Sequence, residues 1–530
     1  MRFHRPVRGR MAAVAALGLM LGLGPLQGEA ALSEAQSRGK QIYLNGTSPS
    51  GGDITAIVGG EQVRLPASAV PCASCHGPDG LGRPEGGVLP PDIRWNNLTK
   101  SYGHVHEDGR RHPPFDEASV AHVLRTGLDP AGNRLDEAMP LYALSKEDMA
   151  DLLAYLKQLE ADLDPGLAPD RIQVATLLPL QGPQGGVGRA MAQVMHAHFE
   201  DLNAQGGVFG RRIELLAVPY GASAEATLGN LRLALEREGA FALVGAYTVG
   251  LDEAVLALLR EEDVPLVGPF TLDPGDEIVN AAAFYLYPGF AEQARALADA
   301  AVKEQPGEPT SLAVAAPAGK RADRLVAAVR DQASLRRAEE PLAIRYPSGG
   351  MDPQAIAEQM QVHGSDALLF FGDRNELDAL LAALAGSEAP PRVYLLSAFV
   401  SRPLFDAPPG FHQRLFIAYP TLASDISPSG LAEYQDLAER RALPRDHVQA
   451  QIAAYAAAKL LVEGLRRAGR DLDRRELVDA LEELYGYETG LTPPLSYGPN
   501  RRIGARGAHL VTVDLLKKSY QPVGGWHELR

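Results

Sequence analysis

From residue 171 onward, short apolar runs alternate with amphipathic stretches. The runs 172–178, 213–218, 241–244 and 265–267 read as strands, and 189–203, 224–238 and 252–261 as the helices between them. The rhythm resumes with strands over 312–316, 342–346 and 367–371 and helices over 321–333, 353–363 and 376–385. Strands separated by helices of roughly 10–15 residues are crossover units and predict parallel sheets. Two successive sets predict two lobes. Residues 31–161 have another texture, with Gly and Pro clusters between a few helices, over 35–43, 116–125 and 145–159. The Pro/Gly-bearing stretch 162–169 separates the two regions.

The chain has 530 residues, enough for two to four domains at about 100–200 residues each. With 45% hydrophobic and 22% charged residues it is a folded globular chain, and its net charge of −15 argues against nucleic-acid binding. Residues 2–10 carry four Arg; a short apolar stretch (11–24) and Gly28-Glu29-Ala30 follow, which together predict an export signal cleaved after Ala30. Removing residues 1–30, of net charge +3, leaves a mature chain near −18 with no transmembrane segment, expected in the periplasm.

There are two cysteines, Cys72 and Cys75, in Cys72-Ala-Ser-Cys75-His76. That number excludes a disulfide framework, a four-cysteine zinc site and a four-cysteine iron–sulfur cluster. Two thiols at this spacing can add to the two vinyl groups of one haem, and the adjacent imidazole then reaches the iron. A thioredoxin-type CxxC would sit at a strand–helix junction, but the flanks here are Pro71 and Gly77-Pro-Asp-Gly-Leu-Gly82. For the sixth ligand, Met139 is held in a loop by Pro140. Met149 is a rival thioether, but it lies on a helical apolar stripe with Leu152, Leu153, Leu156 and Leu159. His104, His106, His112 and His122 are the imidazole alternatives.

On these motifs, residues 31–162 resemble a class I c-type cytochrome domain, a small all-α fold. The helix containing Gly39-Lys-Gln-Ile-Tyr43, the Cys72–His76 motif, Met139-Pro140 and the helix over 145–159 occupy the family's positions. The resemblance implies one covalent haem c on Cys72 and Cys75, with His76 and Met139 as axial iron ligands. It also implies that the Pro91 carbonyl orients His76. Residues 47–71 and 96–114 are longer than such a domain requires.

Residues 179–188, Pro-Leu-Gln-Gly-Pro-Gln-Gly-Gly-Val-Gly, form a Gly-rich strand–helix turn that matches neither a dinucleotide fingerprint nor a Walker loop. A tight packing turn and an anion-binding turn both remain open. With the string Phe199–Leu215 and the segments at 244–247 and 263–269, residues 171–530 resemble type I periplasmic solute-binding proteins of the leucine/isoleucine/valine kind, the substrate-binding partners of ABC transporters. The fold expected for the whole chain is therefore an all-α class I cytochrome c domain, a linker over 163–170, and a two-lobed α/β type I periplasmic-binding-protein fold. The resemblance places the cleft at Gln181, Tyr247, Thr248, Phe270 and Thr271. Thr248 and Thr271 would offer hydroxyls, while Tyr247 and Phe270 bring aromatic bulk. No acid is clearly placed for an ammonium group: Asp373 is a candidate that helix capping explains equally well. A small apolar or aromatic compound, an acid included, is expected rather than an α-amino acid.

No catalytic motif is present, and Ser397, His363, His412 and His447 read as structural. The expected function is a non-enzymatic periplasmic electron carrier with a fused small-molecule-binding domain, serving a redox partner such as a dehydrogenase or a terminal oxidase chain. The alternative is the solute-binding component of an ABC importer, docking on its permease, for a small apolar, aromatic or amino-acid-like solute.

Overall fold

Ser33 starts the first helix, α1 (Glu34–Asn45), by accepting the N–H of Gln36, whose side chain returns the bond in a capping box; Gly46 ends it in the left-handed conformation. This computed structural model describes residues 32–60, 62–82, 87–106, 109–275, 282–303, 311–386 and 389–529. The export signal expected over 1–30 lies outside them. The chain divides into two units, one ending at Asp162 and the other starting at Leu163.

In the first unit, strands β1 (Thr55–Val58) and β2 (Val63–Pro66) precede α2 (Cys72–His76) and α3 (Trp95–Leu98). Then come β3 (His104–Val105), β4 (Arg111–His112), α4 (Glu117–Thr126), β5 (Leu141–Ala143) and α5 (Lys146–Leu156). Helices α1 and α5 pack face to face because Gly39 has no side chain: a Cβ there would lie 2.0 Å from the Asp151 carbonyl oxygen. Around that contact, Arg38 grips the Asp151 carboxylate at 2.7 and 2.9 Å, and the rings of Tyr43 and Tyr155 sit 5.5 Å apart. Gly39→Ala therefore forces the two helices apart, at an expected cost of about 3 kcal/mol or more, read as a lowered thermal midpoint of this unit by circular dichroism.

The insertion over 47–71 adds β-structure to a unit expected to be all helical. Strand β1 pairs with β2 on one side and with β5 on the other, in the order β2-β1-β5. This addition was not legible in the sequence, because four-residue strands flanked by Gly and Pro carry little period-two signal.

The second unit has two sheets with crossover helices, the first parallel and the second parallel but for its last two strands. The first contains β6 (Arg171–Leu178), β7 (Arg212–Pro219), β8 (Leu243–Val244), β9 (Leu266–Val267) and β10 (Ala283–Phe284), ordered β10-β9-β8-β6-β7. Its crossovers are α6 (Gly185–Ala204), α7 (Ala224–Glu238) and α8 (Asp252–Glu261). Helix α9 (Phe290–Lys303) opens the second lobe, where β11 (Leu312–Pro317), β12 (Leu342–Tyr346), β13 (Ala367–Phe370), β14 (Arg392–Leu396) and β15 (Leu415–Tyr419) run parallel. Helices α10 (Lys320–Leu335), α11 (Pro353–His363) and α12 (Arg374–Leu384) connect them. The chain then returns to the first lobe as α13 (Pro428–Arg440), α14 (Val448–Ala468) and α15 (Arg474–Glu482). It closes the second sheet with the antiparallel pair β16 (Gly507–Asp514) and β17 (Ser519–Glu528). The residues expected as a linker, 163–170, belong to this unit: Leu167 is buried in its core, and Asp164 accepts the Arg474 N–H at 2.6 Å.

Candidate functional site

Cys72, Cys75, His76, Pro91 and Met139, singled out in the sequence, all line one cavity of about 340 Å³ in the first unit, with apolar walls that include Val123 and Leu152. The loop after the cysteines is shaped for this. Gly80 and Gly82 both have positive φ, and a Cβ on Gly82 would fall 2.0 Å from the Pro90 carbonyl oxygen. Glycine thus lets residues 90–93 lie against the loop, where Ile93 N–H bonds to Gly80 O at 2.8 Å. That contact places the Pro91 carbonyl 3.0 Å from His76 Nδ1. A carbonyl oxygen only accepts, so Nδ1 carries the proton and the lone pair of the neutral ring resides on Nε2. Burial lowers the pKa of His76, favouring that neutral form, although the Pro91 bond opposes the shift.

The Cys72 thiol differs from that of a disulfide oxidoreductase. Burial pushes the Cys72 thiol up to about 12, whereas a catalytic CxxC depends on a depressed pKa. Two thiols beside an imidazole of fixed tautomer, in an apolar crevice, form a donor set that fits a haem attached through both sulfurs.

The rivals for the sixth position separate by location. Met149 is buried in the helical core and is not on the cavity wall, and His122 is exposed on α4. Met139 lines the cavity immediately before β5, and β5 is held by the insertion, with Ile57 paired to Leu141 and Ala56 to Tyr142. The Tyr142 hydroxyl donates to Val70 O at 2.7 Å, tying the methionine loop to the residues just ahead of the Cys motif. His104, His106 and His112 also line the cavity, as a cluster that the sequence reading treated one residue at a time.

In the first lobe of the second unit, Tyr247 and Phe270 follow β8 and β9. They are stacked at 5.4 Å and 19°, at the strand ends where open parallel sheets bind ligands. Gln184 donates to the Tyr247 hydroxyl at 3.3 Å, and the Tyr220 hydroxyl donates to the Tyr247 carbonyl. Gln181 is exposed in the Gly-rich turn. In that turn a Cβ on Gly188 would meet Pro179 O at 2.2 Å, so close packing of α6 on β6 explains the glycine there.

The threonines sit differently from the expectation. Thr248 is 1% exposed and its hydroxyl donates to Asp252 Oδ1 at 2.6 Å, and Thr271 bonds to the same carboxylate. Burial raises the pKa of Asp252, opposed by these hydroxyls. Sequence reasoning missed Asp252, though an acid four residues after Thr248 at a helix start was a signal for it. Asp373 caps α12, accepting the N–H groups of Asn375 and Glu376. His363 is hydrogen-bonded to Ser311 and Ser365, and His412 accepts the Leu515 N–H. From the second lobe, Arg321 and Arg324 at the start of α10 reach Asp273 of the first at 3.1 and 2.6 Å.

A family model for periplasmic binding proteins matches residues 171–519, and one for cytochrome c matches residues 67–160. No curated protein matches the chain. Among solved structures, a putative branched-chain amino acid ABC transporter from Rhodospirillum rubrum is similar at 18% identity and a TM-score of 0.52. The match covers 67% of this chain and 100% of that one. A protein from the Pseudomonas fluorescens group, described as an ABC transporter permease, is similar at 15% identity and a TM-score of 0.50, covering 68% and 93%. At these identities the likeness establishes the fold. Among the described residues no helix is long and apolar enough to cross a membrane.

Proposed function

Since the chain belongs to the periplasmic binding protein family and carries a cytochrome c domain ahead of its solute-binding unit, we propose that it is an exported electron carrier with one haem c, whose second unit binds a small apolar or aromatic compound, an acid included. The observation that carries this reading is the convergence of Cys72, Cys75, His76 and Met139 on one apolar cavity, with His76 Nδ1 engaged by Pro91. Haem c supplies a one-electron iron couple. Cys72 and Cys75 would hold it through thioether bonds, His76 and Met139 would be its axial ligands, and Pro91 fixes the histidine ring. The apolar walls exclude water, which together with a thioether ligand favours a raised reduction potential. Such a carrier serves a periplasmic dehydrogenase or a terminal oxidase chain.

In the second unit Asp252 occupies the Thr248 hydroxyl, which leaves the Tyr247–Phe270 stack as the main recognition element at the strand ends. A flat or branched apolar ligand suits that surface better than a zwitterion. The Arg321 and Arg324 pairs with Asp273 join the lobes as a clasp of the kind a closing cleft uses. Thermal-shift screening of the full chain against aromatic acids and apolar amino acids tests this. An aromatic or apolar compound at a hundredfold excess over its Kd should stabilise by about 2.7 kcal/mol, and Phe270→Ala should remove the effect. Stabilisation that survives both Tyr247→Ala and Phe270→Ala would contradict the assignment.

A further inference from the structure

We propose that His104, His106 and His112 form a binding site for one divalent first-row transition ion, zinc or copper, on the wall of the cavity and separate from the haem iron. The insertion over 96–114 brings the three together. Strands β3 and β4 pair antiparallel with His104 directly opposite His112, so their side chains share a face, and His106 lies two residues on, where the strand period returns to that face. The rings of His104 and His112 stack at 4.7 Å, and His106 lies 5.1 Å from His112 and 5.9 Å from His104. One ring nitrogen from each can be chosen so that all lie within 4.8 Å of one another.

Two of the rings are oriented as metal-ligating histidines are. His112 Nδ1 donates to Pro113 O at 2.8 Å and His104 Nε2 donates to Leu98 O at 3.3 Å, which leaves His112 Nε2 and His104 Nδ1 as the lone-pair nitrogens. Both residues are more than nine-tenths buried, at 7% and 9% exposure. His112 Nε2 is 2.9 Å from His106 Nε2. Two nitrogens bound at about 2.05 Å to one tetrahedral ion are about 3.3 Å apart, so the His106–His112 pair already stands close to ligand spacing, and His104 offers its nitrogen within 4.8 Å of theirs. Binding requires neutral His106 to carry its proton on Nδ1 instead of Nε2, so that the Nε2 lone pair meets the ion and no net proton is released. The nearby Arg110 guanidinium is offset by Asp129, 3.6 Å away. Imidazole donors in this number suit zinc and copper rather than magnesium or calcium.

The test uses the haem-loaded full chain, purified without a histidine tag and stripped with chelator. Calorimetric titration with zinc(II) should show one equivalent bound, and copper(II) should give an electron paramagnetic resonance signal split by nitrogen. His106→Gln, at the more exposed position, should weaken zinc binding by roughly 100-fold or more, as should His112→Ala. His122→Ala, on the surface of α4, should leave binding unchanged, and the visible spectrum checks that each variant is folded. Zinc binding that is absent from the wild type, or unaltered in His106→Gln, overturns the proposal. So does a His106→Gln protein that binds zinc normally but has a displaced haem midpoint potential, because the cluster then serves the carboxylates of the haem.

Discussion

Replacing Cys72 and Cys75 together with alanine is expected to abolish covalently bound haem, so that a denaturing gel stained for haem shows no band where the wild type shows one. The sequence contains no other cysteine, so nothing else in the chain can form a thioether to a haem vinyl group. For the same reason the wild type should carry one haem per chain, measurable as pyridine haemochrome against protein. Each single variant should retain at most one thioether link. The second unit, which starts at Leu163, contains neither thiol and should keep its ligand response in the double variant. Haem stain persisting in the double variant would mean that attachment does not run through these sulfurs.

The next largest effect is expected at Asp299, a residue of neither site. Its side chain is fully buried in the second lobe, where α9, α10 and β17 meet. Gln332 Nε2, Lys303 Nζ and His527 Nε2 each lie 2.7 Å from the carboxylate, and Arg336 Nε is bonded to it as well. Burial alone would raise this carboxyl's pKa, but the bonds from His527, Arg336, Lys303 and Gln332 outweigh it and hold the group far below the usual range. Asp299→Ala leaves the cationic Lys303 and Arg336 side chains, and with them His527 and Gln332, without their shared acceptor. Because the two cations are partly exposed and can hydrate, the expected loss is at the lower end for a broken buried pair, about 3 kcal/mol by urea unfolding at pH 7.

The pH dependence follows from the direction of that shift. Between the low folded pKa and the unfolded value of about 3.9, the unfolded state binds the proton and the folded state does not. Stability from Asp299 is therefore fully present above about pH 4 and lost as the pH falls below it. The gap between wild type and Asp299→Ala should narrow under acid; a gap of constant size would contradict the assignment.

How far the sequence announced this structure varies along the chain for physical reasons. Helices 224–238 and 353–363 were legible to the residue because Ser223 and Asp352 cap them and an apolar stripe faces the sheet. Helix Val448–Ala468 was not. It is buried on nearly every side, with small residues such as Ala454 and Ala457 set against Gly245 and Gly268, so it offers no polar contrast to read. The antiparallel pair Gly507–Asp514 and Ser519–Glu528 escaped notice because it breaks the strand–helix rhythm. At the sites, the Cys72–His76 motif was legible because haem attachment demands a fixed local spacing. The use of the Thr248 hydroxyl by Asp252 was not, since either partner alone also fits a ligand role. The histidine cluster needed the register of His104 against His112, which only the folded hairpin supplies.

His76 and Met139 would hold one haem in the cavity that they line. The oxidised visible spectrum of the wild type compared with that of Met139→Ala reads this ligation. A sulfur-to-iron charge-transfer band at the red edge should be present in the wild type and absent from the variant, with haem still attached in both. A wild type without that band, or a variant that retains it, would contradict the account by placing another ligand opposite His76.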